Sequence, residues 1–278
     1  MLRAADAWFS YDERTPVVRG VSLDVPADGF VGILGPNGSG KTTLLRLLAG
    51  TRQPQRGSVT LDGTLLTRLS RAVLARRMAV VPQETHLAFD YTALEVAMMG
   101  RYPHLGPFEI EGPGDVSIVE EMLDATGTLN LKNRLFATLS GGEKQRVVIA
   151  AALAQVDRRD VRLKAEESTV PGILLLDEPT ASLDLGYQLE VAALLRRLHD
   201  ERGVAIVVST HDLNLAASLC STLVLMREGV VLASGGIEDV LTRDNVRRLY
   251  GVDADVMNHP SGHRIIVPVR RLSTGEGA

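Results

Sequence analysis

The residues best suited to chemistry lie together in Gly35-Pro36-Asn37-Gly38-Ser39-Gly40-Lys41-Thr42-Thr43. Glycines let a chain fold closely around an anion, so that successive backbone N–H groups converge on phosphate oxygens. Lys41 has the length to reach β- and γ-phosphates, and the Thr42 hydroxyl can ligate magnesium. The flanks fit this reading. Phe30-Val31-Gly32-Ile33-Leu34 reads as a buried strand, and Leu44 to Ala49 as a helix closed by Gly50. Strand, glycine-rich loop, helix is the context in which this spacing holds phosphate, because the helix aims its partly positive N-terminus at the anion.

A second set of chemical groups follows Ile173-Leu174-Leu175-Leu176, an aliphatic run suited to a parallel strand buried on both faces. Asp177 and Glu178 come next, at the edge where ligands bind in open α/β sheets. Neighbours on an extended chain point to opposite sides. Asp177 is therefore expected to hold magnesium, and Glu178 to address a water. Val204 to Ser209 reads as another buried strand, delivering His211 to the same kind of edge, where it can contact a γ-phosphate or orient water. Gln83, where Ala79-Val80-Val81-Pro82 gives way to loop, can ligate a metal through its amide oxygen or sense a phosphate. Tyr11, in the turn Ser10 to Pro16, either packs at a strand end or stacks on a nucleobase. Ser140 and Glu143 form an S-x-x-E capping box before an apolar helix, and Gly141 and Gly142 leave that N-terminus bare enough to cradle an anion.

These groups need an α/β frame. Short strands are expected at Ala7 to Phe9, Val21 to Val25 and Ser58 to Gly63. From about residue 86 the texture becomes helical, with Thr92 to Met99 and Val116 to Ala125 as helices around a Pro/Gly-rich loop from Arg101 to Pro113. Gln155 to Gly172 is charged and reads as a solvated loop. A helix with inward-facing Leu189, Val191, Ala192, Leu194, Leu195 and Leu198 ends near Gly203. A hairpin over 222–233, a helix from Ile237 to Tyr250 and a strand from Arg264 to Val269 complete the chain, with His259 and His263 placed in a loop.

Composition narrows the class. The 278 residues are 45% apolar but only 4% aromatic, so the core must be largely aliphatic. A net charge of −4 argues against nucleic acid held by general electrostatics. A single cysteine, Cys220, excludes an internal disulfide and reads as a buried side chain. No apolar run approaches the ~20 residues of a membrane span, and no signal peptide is expected.

Taken in order, these motifs resemble an ATP-binding-cassette ATPase over nearly the whole chain. Tyr11 stands at the adenine-stacking position, Gly35 to Thr42 at Walker A and Gln83 at the Q-loop. Leu139 to Gln145 matches the signature, Ile173 to Glu178 Walker B, Ser182 to Asp184 the D-loop, and His211 the switch histidine. Met99 to His104, His211 to Ala216 and Tyr250-Gly251-Val252 are similar to the branch serving importers of iron-siderophore, haem and cobalamin. The resemblance implies one cassette domain with a P-loop NTPase core and mainly parallel sheet. It divides into an α/β core with an antiparallel β subdomain (1–85 and 168–234), an inserted helical subdomain (86–167) and a C-terminal extension (235–278). It implies ATP and Mg²⁺ as cofactors, with Thr42, Gln83 and Asp177 at the metal. It further implies a homodimer closed on ATP, in which Ser140, Gly141 and Gly142 of one copy complete the other's site, and it places the D-loop Asp184 among the cofactor-binding residues. Two permease subunits would dock near Gln83 and the Thr92 to Arg101 segment, with a substrate-binding protein engaged indirectly. The chain would then sit peripherally on the cytoplasmic face of the inner membrane. An exporter ATPase is the nearest rival. A DNA-repair ATPase would separate Lys41 from Ser140 by a coiled coil, and a translation factor would carry two cassettes.

Overall fold

The structure is a computed structural model that describes residues 1–12, 14–157, 172–181, 183–260 and 262–272. In chain order the elements are β1 (Leu2–Ser10), β2 (Pro16–Val25), β3 (Phe30–Leu34), α1 (Lys41–Leu48), β4 (Arg56–Leu61) and β5 (Thr64–Leu65). Then come α2 (Arg71–Arg77), β6 (Met78–Val81), α3 (Ala93–Met98), α4 (Pro113–Ala125), α5 (Gly141–Val156), β7 (Ile173–Asp177) and α6 (Leu185–Arg202). The chain closes with β8 (Ala205–Thr210), α7 (Leu213–Leu219), β9 (Thr222–Arg227), β10 (Val230–Gly236), α8 (Ile237–Val240), α9 (Arg243–Tyr250), β11 (Val252–Asn258) and β12 (Arg264–Arg271). Contacts group these into two compact units, Met1–Arg68 with Val207–Ala278, and Leu69–Ile206.

In the first unit an antiparallel sheet runs β2-β1-β4-β5. Beside β3, β9 runs parallel, with Ile33 opposite Val224, and β10 turns back antiparallel on β9. All five residues of β3 are buried, and so are Val207 to Thr210 of β8, as expected for strands covered on both faces. Cys220 is buried, as its type predicts, with its sulfur against Gly32.

In the second unit β6 pairs parallel with β7, Met78 opposite Ile173 and Val81 opposite Leu176. Helix α5 packs into the interior of this unit, burying Val147, Ile149, Ala150, Leu153 and Ala154.

The structure departs from the sequence reading in several places. Helix α5 continues to Val156, so Gln155 belongs to its last turn, and 158–171 lie outside the described residues. The stretch from Ile237 to Tyr250 is two helices, because Thr242 caps α9 through the Asn245 amide and restarts the turn. The final strand is not alone: β11 pairs with it as a hairpin, Val256 opposite Ile266. The supposed loop after Met99 begins as a 3₁₀ helix, Met99–His104. Arg101, expected on a docking surface, is 1% exposed. Its guanidinium donates to Asp115 Oδ1 at 3.0 Å, Ala154 O at 2.7 Å and Asp157 O at 3.2 Å. A cation fits there because the C-terminal carbonyls of α5 carry partial negative charge and need donors.

Candidate functional site

The first unit holds the phosphate loop. Residues 35–40 leave β3 and enter α1, whose N-cap is Gly40 at φ 100°, a left-handed backbone that favours glycine. A Cβ on Gly35 would lie 2.2 Å from Met226 O, so only glycine allows that crossing. No side chain caps α1. Ser39 is 2% exposed and its Oγ has no hydrogen-bond partner among the described residues. A buried hydroxyl beside an uncapped helix N-terminus suits an incoming anion rather than the apo chain. Lys41, also buried, folds back so that Nζ donates to Gly35 O at 2.8 Å and Pro36 O at 3.2 Å. The loop's own carbonyls thus hold the ammonium at the loop's mouth. Asn37 and Gly38 are exposed at its tip, while Thr42 is half-buried and Thr43 buried.

Tyr11 is half-exposed and tethered to α1. Its hydroxyl lies 3.3 Å from Thr43 Oγ1 and accepts from Arg46 Nη1 at 3.0 Å. The ring meets Phe9 edge-on at 5.0 Å, and the Arg52 guanidinium lies 6.0 Å from its centroid. Burial pushes the phenol up, but hydrogen bonds with Thr43 and Arg46 and the nearby Arg46 and Arg52 charges prevail and lower its pKa. The packing and stacking readings of Tyr11 are therefore compatible: the packed contacts fix a ring that still has solvent access.

His211 is exposed in the link between β8 and α7. Asp212 caps α7, accepting from Asn214 N at 2.9 Å and Leu215 N at 3.0 Å.

The second unit carries the remaining expected groups. Gln83 is exposed just beyond β6. Asp177 ends β7 half-buried, and Glu178 follows at φ 46°. A glutamate in the left-handed region is strained by about 1–3 kcal/mol, and such strain clusters at functional sites. The turn beyond it is held by Gln188, whose Nε2 donates to Leu183 O at 2.9 Å and Thr180 O at 3.3 Å. Sequence reasoning missed Gln188, since a glutamine on a helix carries no signal without the turn beneath it. Asp184 is the N-cap of α6, accepting from Tyr187 N at 3.1 Å; Ser182 lies outside the described residues.

Ser140 and Glu143 form the expected box. Glu143 N donates to Ser140 Oγ at 3.3 Å, and Ser140 N to Glu143 Oε2 at 2.8 Å. That backbone donation leads the causes holding the Glu143 carboxyl below its ordinary range. The two glycines differ in kind. A Cβ on Gly142 would lie 2.6 Å from the Tyr187 ring, whereas one on Gly141 would only graze Leu183 at 3.3 Å. Gly142 therefore answers a close approach within the unit as well as leaving the helix end open. Near Gln83 lies a groove of about 270 Å³, lined by residues including His86, Phe89, Phe136 and Lys144.

Residues 18–181 match the family described as ABC transporter. A hemin import ATP-binding protein, HmuV, of Bordetella pertussis is 41% identical over 249 residues, covering 88% of this chain and 90% of the relative. HmuV of Gloeobacter violaceus is also 41% identical, covering 91% and 89%. Among solved structures, an inward-facing, putative metal-chelate type ABC transporter superposes with a TM-score of 0.80 at 26% identity, covering 97% of both chains. The dimeric, post-hydrolysis MJ0796 cassette bound to ADP and Pi gives 0.70 at 28% identity, covering 85% of this chain and 99% of that one.

Proposed function

Because the chain belongs to the ABC transporter family of ATP-binding proteins, we propose that it is the ATP-hydrolysing motor of an importer for haem or a related metal chelate. The observation that carries the ATP reading is the phosphate loop. Ser39 Oγ is buried without a partner among the described residues, beside an uncapped helix, in a cradle closed by Gly35 and Gly40. The haem class is supported by what the most similar relatives are named for.

In this reading Lys41, Ser39 and the 35–40 amides bind the phosphates, and Tyr11 stacks on the base. The hydroxyl of Thr42, the Asp177 carboxylate and the Gln83 amide are hard oxygen donors of the kind magnesium takes. Magnesium, when bound with nucleotide, neutralises charge on the β- and γ-oxygens. Glu178 accepts a proton from the attacking water, and its strained backbone sets the carboxylate's direction. His211 holds the γ-phosphate side. Ser140, Gly141, Gly142 and Asp184 of a second copy close over the nucleotide, so hydrolysis follows dimer closure.

No helix among the described residues is long and apolar enough to cross a membrane. In the importer reading, supported by the import ATP-binding relatives, two permease subunits supply the span and the chain works peripherally at the cytoplasmic membrane face. The groove at Phe89 and Lys144 suits a permease helix: Phe89 is 73% exposed, and Lys144 belongs to the first turn of α5. A helix seated there touches both the segment after Gln83 and the element bearing Ser140.

The test is reconstitution with the co-purifying permease, measuring hydrolysis and uptake with haem, a ferric siderophore and cobalamin. One chelate should stimulate hydrolysis and accumulate. Phe89→Asp should lose permease association and uptake while isolated-chain hydrolysis stays unchanged. Hydrolysis indifferent to permease and to every chelate would contradict the importer reading.

A further inference from the structure

The C-terminal segment has no part in the reading above, yet it reaches the switch histidine. Tyr250, the last residue of α9, donates its hydroxyl to His211 O at 3.0 Å. One turn beyond His211, Asn214 bonds β12 in both directions: Ile266 N donates to Asn214 Oδ1 at 2.8 Å, and Asn214 Nδ2 donates to Ile266 O at 3.2 Å. We propose that α9 and the β11–β12 hairpin are a positioning element for His211, acting through the Tyr250 hydroxyl and the Asn214–Ile266 pair. This rests on the reading of His211 as the γ-phosphate contact.

The segment is built to hold rather than to trail. Helix α9 buries Val246 and Leu249, and the hairpin buries Ala254 and Ile266. Gly251, at φ 66°, turns the chain from α9 into β11, and its carbonyl accepts from Leu272 N at 2.9 Å, closing the hairpin on the helix end. His211 itself lies in an exposed link, where backbone conformation is weakly restricted by packing. The Asp212 cap fixes the link on its α7 side. Tyr250 grips the carbonyl one residue earlier, so the peptide plane between His211 and Asp212 is held from both sides. The histidine's Cα–Cβ direction is thereby set before any nucleotide arrives, which is the pre-organisation a phosphate contact needs.

Tyr250 and Asn214 are positioning residues, since neither is argued to touch nucleotide. Tyr250→Phe deletes one hydroxyl and leaves the ring in place. In the full chain, kcat for ATP should fall about 3- to 10-fold, the scale of one hydrogen bond, with KM unchanged and Tm lowered by no more than a few degrees. In a His211→Ala background the same change should have no further effect. Hydrogen exchange gives a readout independent of activity: the amides at 211–212 should exchange faster in Tyr250→Phe. Wild-type kcat, the same fold loss in the His211→Ala background, or unaltered exchange at 211–212 would each overturn the proposal. Undiminished turnover in His211→Ala alone would instead overturn the underlying role of His211.

Discussion

Glu178, proposed above to accept the water's proton, is where fold and chemistry are most closely joined. Its type and its place after four aliphatics were legible in the sequence, because a buried parallel strand must release its polar groups at its end. Its left-handed backbone was not, since glutamate has no preference for that region and only the turn through Pro179 and Thr180 imposes it. Two substitutions separate the parts. Glu178→Gln should keep ATP affinity and cut turnover about 10²- to 10⁴-fold, the range of a positioned proton acceptor. Glu178→Gly should lose turnover as completely but keep a higher Tm than Glu178→Ala, because glycine takes φ 46° without the steric cost that alanine meets. Near-normal turnover in Glu178→Gln would remove Glu178 from the chemistry, and a Tm for Glu178→Gly no higher than that for Glu178→Ala would show that the backbone is unstrained. Arg101 teaches the opposite lesson. Its setting between Pro- and Gly-rich residues reads as exposed loop, and nothing in the sequence shows the α5 carbonyls it serves. Arg101→Ala should cost about 3–5 kcal/mol in urea unfolding, since it leaves Asp115 and buried carbonyls without their cation. A loss below about 1 kcal/mol would return Arg101 to the surface role its sequence setting suggests.

Helix α5 is the element through which several of these residues act. Its start was legible from S-x-x-E and its body from apolar spacing; its end was not, because Gln155 and Asp157 look like the charged loop that follows. Only the fold explains them. Gln155 Nε2 donates to Ala75 O and Met78 O, both at 2.9 Å, and His104 Nε2 lies 2.8 Å from Gln155 O. The helix that presents Ser140 is thereby fastened at its far end to the start of β6, the strand leading to Gln83. At the near end the capping box has a measurable pH signature. The Glu143 carboxyl is held below its ordinary range in the folded chain, so the unfolded chain binds its proton more readily. The stabilisation is therefore complete above the ordinary glutamate range of about 4.3 and is lost as pH falls through the lowered folded value. Stability measured against Glu143→Gln should show a gap at neutral pH that closes in acid. A gap constant across that range would mean that the carboxylate's charge contributes nothing.

At the scale of the molecule, the order of the motifs along the chain carried most of the functional reading. Each marks a point where a buried strand or helix ends in polar residues. The P-loop, β3, β7, β8 and the helical texture after residue 86 all followed from such local patterns. The C-terminal hairpin did not, because β11 alternates Asp253 and Asp255 with Ala254 and Val256, and becomes a strand only against β12. The most consequential claim concerns two copies: the phosphate loop of one chain is completed by Ser140 of another. Its most direct test mixes Lys41→Ala with Ser140→Arg. Each mutant alone has two defective sites per dimer, whereas the mixed pair has one site with both residues intact. Light scattering should find ATP-dependent dimers in the mixture and in neither mutant alone. Dimers equally abundant in either single mutant, or no gain on mixing, would contradict a site shared between copies.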